Sequence, residues 1–206
     1  MRAALRRKLG RVRLRDPELA HLFEPPPDDR IICLDTEATG LDPRRDQLLA
    51  VAALPVEGDR IRTSEALHLT VRPNGPVDGE SVKIHGLRDR DLARGMAPET
   101  AVDRLLQFIG SRPLLGYYLE FDCALIGRLA RPRLGGPLPN RRIEVSGLYH
   151  DAKQAVIPRG FVDLRFEAIR RDLGIPDLGR HDAFADVLTT ALMYVKLGHR
   201  PRVRRV

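Results

Sequence analysis

The stretch of sequence that decides the fold occupies residues 30–41 and consists of RIICLDTEATGL. Its first half is a short apolar run, which predicts a buried β-strand. Asp35 and Glu37 lie at the end of that strand, and because strand side chains alternate, both carboxylates point to the same face of the sheet. Two carboxylates held together repel each other, and a bound divalent cation removes that repulsion. The same triplet is also common on solvated loops, so by itself it is only a weak indication of a metal site.

Further strands and helices are predicted after this segment. A turn at residues 39–43 follows the first strand, and a hairpin at residues 57–59 joins the next two strands. Later apolar positions recur at helical spacing, and Gly174 is typical of a helix end. We predict strands over residues 30–35, 48–56, 61–71, 113–117 and 142–145, and helices over residues 98–109, 121–129, 161–173 and 183–197. This order predicts an α/β fold with one mixed five-stranded sheet and helices on both faces.

The positive charge of the chain is concentrated at its two ends. The 206 residues carry a net charge of +7, but residues 1–15 and 200–206 contain basic side chains and no acidic ones. Three prolines at residues 25–27 cannot continue a helix. We therefore predict a basic N-terminal arm with a Pro-rich linker over residues 1–29, one domain over residues 30–198 and a basic C-terminal tail over residues 199–206. Basic tails favour polyanions through counterion release, although a solvated arm has the same composition.

Several classes of protein are excluded by composition. The two cysteines, Cys33 and Cys123, have no metal-type spacing, which excludes a disulfide scaffold or a zinc ribbon and fits a reducing cytoplasm. We expect both to pack as small apolar side chains. No stretch approaches the ~18–20 apolar residues that span a bilayer, and the basic N-terminus lacks the apolar core of a secretory signal. The expected location is cytoplasmic, with no membrane partner.

Three further residues are candidates for chemistry, and each has an ordinary structural alternative. Asp122 lies where a predicted strand meets its helix, a position at which Asp is often a helix N-cap. His181 precedes the last predicted helix, for which Asp182 is a suitable N-cap, and Asp186 lies in its first turns. The alternatives are a surface histidine and an acid favoured by the helix dipole. His181 and Asp186 can then both face the sheet edge that carries Asp35.

Together these segments resemble a known family. The motifs DTEATGL at residues 35–41, IHGL at 84–87, FD at 121–122 and HDAFAD at 181–186 are similar to those of the DEDDh 3′→5′ exonucleases. Within that family the chain is most similar to the group that contains the proofreading (epsilon) subunit of bacterial DNA polymerase III. The resemblance covers residues 30–197 and implies a ribonuclease H-like fold.

The resemblance also implies a role for each matching residue. Two Mg²⁺ or Mn²⁺ ions are expected, because these hard cations prefer carboxylate oxygens. Asp35 would bridge both ions, Glu37 and Asp186 would complete the site of the ion that holds the attacking water, and Asp122 would help to hold the other. His181 would take the proton from that water, since an imidazole titrates near neutrality.

Substrate contacts are implied for four more residues. The backbone of Ala38 and Thr39 would lie near the 3′-terminal nucleotide, Leu41 would wedge against its base, and His85 would approach its sugar or phosphate. A structural histidine in the turn before Gly86 is the alternative for His85.

The chain also departs from the family pattern. It has tyrosines at 117 and 118 where many relatives have His-Asn, and Ala50 where many have Glu. None of the five expected catalytic residues is altered. We therefore expect catalytic activity, whereas the family's substrate preference does not carry over directly to this chain.

The expected function is metal-dependent 3′→5′ hydrolysis of single-stranded or frayed DNA with release of nucleoside 5′-monophosphates, in proofreading or repair. The same chemistry on RNA ends or oligoribonucleotides is the nearest alternative, and a non-catalytic nucleic-acid-binding module is a third. Single-stranded DNA is the expected partner, with RNA and a DNA polymerase as further candidates.

Overall fold

A mixed β-sheet forms the centre of the computed structural model, which describes residues 10–75, 77, 79–157, 160–179 and 182–198. Its strands are β1 Ile31–Ala38, β2 Leu48–Glu57, β3 Arg60–Ile61, β4 Leu67–Thr70, β5 Leu114–Gly116 and β6 Arg142–Glu144. The strand order is β3-β2-β1-β5-β6, and β4 also pairs with β2. Strand β1 is antiparallel to β2 and parallel to β5, and β5 is parallel to β6. The central position of β1 makes its carboxyl end the natural place for a site.

Helices cover both faces of this sheet. Their bounds are α1 Gly79–His85, α2 Asp89–Leu92, α3 Pro98–Ile109, α4 Leu119–Leu134, α5 Val145–Val156, α6 Phe166–Asp172 and α7 Ala183–Lys196. Alternate residues of β1 enter two separate apolar clusters. Ile32 and Leu34 pack with α3 and α4, whereas Ile31 and Cys33 pack with α5, α6 and α7. The two faces of one strand thus contact different helices, as the period of two requires.

The predicted α/β architecture is confirmed, with one difference in the sheet. The sheet has six strands rather than five, because the predicted strand over residues 61–71 is interrupted. A 3₁₀ turn at Thr63–Glu65 separates β3 from β4. The predicted hairpin is confirmed by the pairing of Glu57 with Arg60, and Gly58 has the positive φ of 62° that this tight turn needs.

Several helices differ from their predictions: α1, α2 and α5 have no predicted counterpart, and α4 and α6 have other bounds. Helix α5 was not predicted; it starts directly after β6, where the Glu144 side chain accepts a hydrogen bond from the Ser146 N–H. Only Val145 and Tyr149 of this helix are buried, so its apolar stripe is too narrow to be recognised in the sequence. The helix predicted over residues 161–173 begins at Phe166 instead. The residues before it are not helical, and Phe161 is exposed.

Part of the N-terminal segment packs against the core. A 3₁₀ helix at Pro17–Phe23 buries Leu19, Leu22 and Phe23 in the same cluster as α3 and α4. Arg133 of α4 forms ion pairs with Asp16 and with Asp103 of α3. The apolar residues before the three prolines are therefore buried with the core, and the domain boundaries at residues 30 and 198 stay predictions. Residues 1–9 and the predicted tail at 199–206 lie outside the described residues.

Both cysteines are free and buried, as expected. Burial raises the pKa of the Cys123 thiol to about 12 and raises that of Cys33 well above its usual value. Neither thiol therefore has the low pKa of a reactive cysteine. Within the described part of the chain, we find no helix long and apolar enough to cross a membrane.

Candidate active site

Three carboxylates meet at the carboxyl end of β1. One oxygen from each of Asp35, Glu37 and Asp186 lies within 4.8 Å of the other two. Asp35 and Glu37 extend the face of β1 that already carries Ile31 and Cys33, which is the face covered by α7. Asp186 is in the first turn of α7. We refer to these three side chains as the acidic cluster.

The position of Asp186 follows from how α7 begins and packs. Asp182 caps the helix by accepting hydrogen bonds from the N–H groups of Phe184 and Ala185, at 3.1 and 2.9 Å. One turn further on, the Cys33 thiol donates to the Val187 carbonyl oxygen at 3.4 Å. The cap sets where the helix starts, and the contact with β1 places its first turn beside the two strand carboxylates.

The electrostatics of the acidic cluster are those of half-buried acids crowded together. Burial, followed by repulsion from Asp122 and Glu37, raises the pKa of Asp35 well above its usual value. Burial and then repulsion from Asp186 raise the pKa of Glu37 from 4.5 to about 7. Hard divalent cations prefer a set of carboxylate oxygens, and their charge relieves this repulsion. The donor set therefore fits Mg²⁺ or Mn²⁺, although carboxylates alone do not distinguish between them.

The fourth expected acid, Asp122, lies outside the acidic cluster and is hydrogen-bonded to Thr36 of β1. Asp122 is in the first turn of α4, and its Oδ1 accepts a 2.6 Å hydrogen bond from the Oγ1 of Thr36. Burial raises the pKa of Asp122 to about 7, while the Thr36 hydrogen bond acts in the opposite direction. Thr36 points to the face opposite Asp35 and Glu37, because it lies between them in the strand. Asp122 is thus outside the acidic cluster but near enough to raise the pKa of Asp35 and Glu37.

The fifth expected residue, His181, lies outside the described residues together with residue 180. Its role as the proton acceptor therefore stays a prediction. The described residues that follow it in the chain are the cap Asp182 and helix α7.

The loop from β1 to β2 is held in shape by one carboxylate. Asp46 accepts hydrogen bonds from the Thr39 hydroxyl at 3.0 Å and from the Asp42 N–H at 2.7 Å. A Cβ on Gly40 would lie only 2.7 Å from an Asp46 oxygen, so a larger residue there would have to displace this carboxylate. Leu41 is 86% exposed at the tip of this loop. An apolar side chain is thus presented to solvent on a rigid loop that starts at the acidic cluster.

Arg128 ties this loop to α4, and sequence reasoning did not find it. Its guanidinium donates to the carbonyl oxygens of Arg44, at 2.7 Å, and Asp46. These hydrogen bonds connect the loop that carries Leu41 to the helix that carries Asp122. No local pattern signals this contact, because the partners are more than 80 residues apart in the chain.

His85 is buried, with 7% of its surface exposed. Its Nδ1 accepts from the Leu87 N–H at 3.0 Å, so Nε2 carries the ring proton and donates to the Ser81 hydroxyl at 2.6 Å. Ser81 in turn donates to the Ala38 carbonyl oxygen at 3.4 Å. This geometry favours the structural alternative, in which His85 supports the end of β1. A direct contact between His85 and a nucleotide stays a prediction.

The departures from the family pattern have visible structural consequences. Tyr117 bridges to the Leu164 carbonyl oxygen at 3.0 Å and packs edge-on against Phe166. Tyr118 is exposed at the start of α4. Ala50 lies directly opposite Glu37 in the β1–β2 pair. Opposite residues share a face, so a Glu at position 50 would add a fourth carboxylate beside the acidic cluster.

The fold and the carboxylates at the end of β1 agree with comparison to known families. Residues 32–194 match the model of the exonuclease family RNase_T, and the chain belongs to that family. The DNA polymerase III epsilon subunit of Aquifex aeolicus is 25% identical over 170 residues, covering 82% of this chain and 81% of the relative. An epsilon-like protein of Rhodobacter capsulatus is 26% identical, covering 81% of this chain and 23% of the relative. The resemblance seen in the sequence is thereby confirmed.

Solved structures show the same fold. Escherichia coli Exonuclease I in complex with a dT13 oligonucleotide superposes with a TM-score of 0.70 at 19% identity, covering 84% of this chain and 42% of that protein. Exonuclease I from Methylocaldum szegediense superposes with a TM-score of 0.69 at 22% identity, covering 84% and 41%. This chain thus spans less than half the length of these structural relatives.

Proposed function

We propose that the protein is a metal-dependent 3′→5′ exonuclease that acts on single-stranded or frayed DNA and releases nucleoside 5′-monophosphates. The observation that carries the proposal is the acidic cluster of Asp35, Glu37 and Asp186 in a chain of the exonuclease family. Relatives named as epsilon subunits support DNA as the substrate. The complex of Exonuclease I with dT13 supports a single strand.

Each residue of the site has a defined task in this proposal. Two divalent cations, when bound, would supply positive charge to the attacking and leaving oxygens. Asp35, Glu37 and Asp186 would hold one cation, and Asp35 with Asp122 would hold the other. Thr36 keeps Asp122 in place and favours its charged form through the hydrogen bond to its carboxylate. His181 would take the proton from the attacking water, and the expected loss in His181→Ala is about 10²–10⁴-fold in rate.

The β1–β2 loop would position the terminal nucleotide. The backbone of Ala38 and Thr39 follows directly on Glu37 and is fixed through Asp46. Leu41 would pack against the terminal base, and such an apolar contact tolerates any base. A paired end must be frayed first, because the scissile phosphate has to reach carboxylates that a stacked duplex end does not reach.

Digestion of labelled oligonucleotides tests the proposal. With Mg²⁺ or Mn²⁺, a 3′-labelled single strand should lose its label at once as a mononucleotide, while a 5′-labelled strand shortens one nucleotide at a time. Asp186→Ala should release nothing, whereas Asp59→Ala, at an exposed acid in the β2–β3 hairpin, should act as the unchanged protein does. Release of the 5′ label first would contradict the polarity.

The same assay separates the remaining alternatives. A matched RNA oligomer that is shortened when the DNA is not would identify an exoribonuclease. Binding without any release of nucleotide would identify a non-catalytic module. The epsilon relatives also support a DNA polymerase as partner, which co-elution of the two purified proteins in gel filtration would test.

A further inference from the structure

A groove of about 660 Å³ runs along α4. Its floor is formed by Phe121, Ala124, Gly127 and Arg131, which recur at intervals of three and four residues and so lie on one helix face. Its walls come from the β1–β2 loop and from the start of β6. We call it the arginine groove after its lining residues, which include Arg44, Tyr118, Phe121, Arg128, Arg131 and Arg142.

The charge of the groove is strongly positive and not balanced within the protein. Arg44, Arg131 and Arg142 are exposed, and none of them forms an ion pair with an acid in the described part of the chain. Elsewhere many arginines are paired with acids, as Arg112 is with Asp28 at 2.7 Å. Glu120 is the only acid among the lining residues that the structure describes. An anion is therefore the complementary occupant.

An aromatic platform stands at the end of the groove nearest the site. Tyr118 is 64% exposed, and its ring stacks on Phe121 with the centroids 6.2 Å apart and the planes 12° from parallel. Its φ of 57° is unfavourable for a bulky residue. The Glu144 carboxylate holds this conformation by accepting from the N–H groups of Tyr118 and Leu119, at 3.1 and 3.0 Å. A rigid aromatic face is thus turned to solvent beside a row of arginines.

We propose that the arginine groove binds single-stranded DNA on the 5′ side of the end that is being hydrolysed. Unpaired arginines beside an exposed aromatic ring are the combination that binds single strands, with phosphates on the cations and a base on the ring. Phe121 of the groove directly precedes Asp122 in the chain, so in this proposal the strand passes from the groove to the active site at this point. Its direction rests on the proposed function, because a 3′→5′ enzyme holds the uncleaved strand on the 5′ side.

The length of the groove decides which substrates use it. From Phe121 to Arg131 the helix rises about 15 Å, at 1.5 Å per residue. A dinucleotide at the active site contacts the ring of Tyr118 at most, whereas a longer single strand reaches Arg131 and Arg142. The groove therefore raises the affinity for long strands far more than for short ones.

Binding without divalent metal tests the groove separately from catalysis. The anisotropy of a fluorescent oligo-dT is measured over a series of salt concentrations with the unchanged protein, the double variant Arg131→Ala/Arg142→Ala, and Tyr118→Gly. Arg104→Ala, at an exposed arginine of α3 outside the groove, is the matched control. The double variant should lower the slope of log K against log salt by about 1.4, or ~0.7 for each phosphate contact. Tyr118→Gly should weaken binding roughly five- to a hundredfold with an unchanged slope.

Kinetics on long and short substrates provide the second measurement. The double variant should raise KM about tenfold or more for long oligo-dT and far less for a dinucleotide, while Arg104→Ala changes neither. The groove proposal would be overturned if the double variant and Arg104→Ala had the same affinity for oligo-dT and the same salt slope. It would also be overturned if the double variant raised KM equally for long oligo-dT and for the dinucleotide. Tighter binding of an RNA strand would overturn DNA as the occupant.

Failure of the groove and failure of the proposed function can be told apart. If no nucleotide is released with either metal, but anisotropy still separates the double variant from the control, the exonuclease proposal fails and the groove stands. If 3′→5′ digestion proceeds while the double variant binds as the control does, only the groove fails.

Discussion

Replacing Asp186 by Asn should stabilise the metal-free protein while it abolishes activity. The oxygens of Asp35, Glu37 and Asp186 lie within 4.8 Å of one another, and repulsion from Asp186 is the second cause, after burial, of the raised pKa of Glu37. Asn has the same shape without the charge. The substitution therefore removes a repulsion from the metal-free protein and a ligand from the metal-bound one.

The size of the effect follows from the pKa of Glu37. Well below pH 4.5, Glu37 is protonated in both the folded and the unfolded chain. Folding then does not bury a charged carboxylate, and the raised pKa has no effect on stability. As the pH rises towards 7 the unfolded chain releases its proton first, and the stability of the folded state falls. A move of the pKa from 4.5 to about 7 amounts to about 3 kcal/mol of lost stability above pH 7. Burial contributes more to the raised pKa of Glu37 than repulsion from Asp186 does. Asp186→Asn should therefore restore only about 1 kcal/mol of the lost stability.

The assay is thermal unfolding in a metal chelator, followed by titration with Mn²⁺. In the chelator at about pH 8, Asp186→Asn should raise Tm by about 2–4 °C, as a gain of 1 kcal/mol does in a protein of this size. Near pH 4 it should leave Tm unchanged. Mn²⁺ should raise Tm of the unchanged protein and have little effect on the variant. Asp59→Asn, which removes an exposed charge from the hairpin, is the control and should have no effect at either pH.

Two results would refute this reasoning. A variant that is less stable than the unchanged protein in the chelator at about pH 8 would mean that Asp186 stabilises the metal-free fold. An equal rise of Tm with Mn²⁺ in both proteins would mean that the cation binds elsewhere.

Three other substitutions test the surroundings of the acidic cluster. Thr36→Val should lower the free energy of unfolding by about 1–3 kcal/mol above pH 7, because the buried carboxylate of Asp122 loses its donor; an unchanged urea midpoint at that pH would contradict this. Leu41→Ala should change stability by less than about 0.5 kcal/mol, yet raise KM on single-stranded DNA at least about fivefold if the side chain stacks on the terminal base. Asp46→Ala should lower kcat/KM about tenfold and the free energy of unfolding by about 1 kcal/mol, since the Thr39 hydroxyl loses its acceptor; unchanged kinetics would show that the loop does not position the substrate.

Much of the site's local geometry is visible in the sequence. Alternation along β1 places Asp35 and Glu37 on one face, and the cap at Asp182 defines where α7 begins. The apolar stripes of α3 and α7 suffice to predict both helices with almost their observed bounds. These features depend on neighbours in the chain, and such interactions are determined by residue type and spacing alone.

Contacts between distant segments were decided by the tertiary structure. The sequence shows four acids of one motif set, but only packing brings Asp186 beside the two strand carboxylates and places Asp122 against Thr36. The hydrogen bonds from Arg128 to the β1–β2 loop connect residues more than 80 positions apart in the chain. The burial of Leu22 ahead of the three prolines likewise depends on a surface that exists only once α3 and α4 have packed. The hydrophobic effect is non-directional. The pattern of apolar residues therefore predicts which side chains are buried, but their packing partners are determined only by the assembled fold.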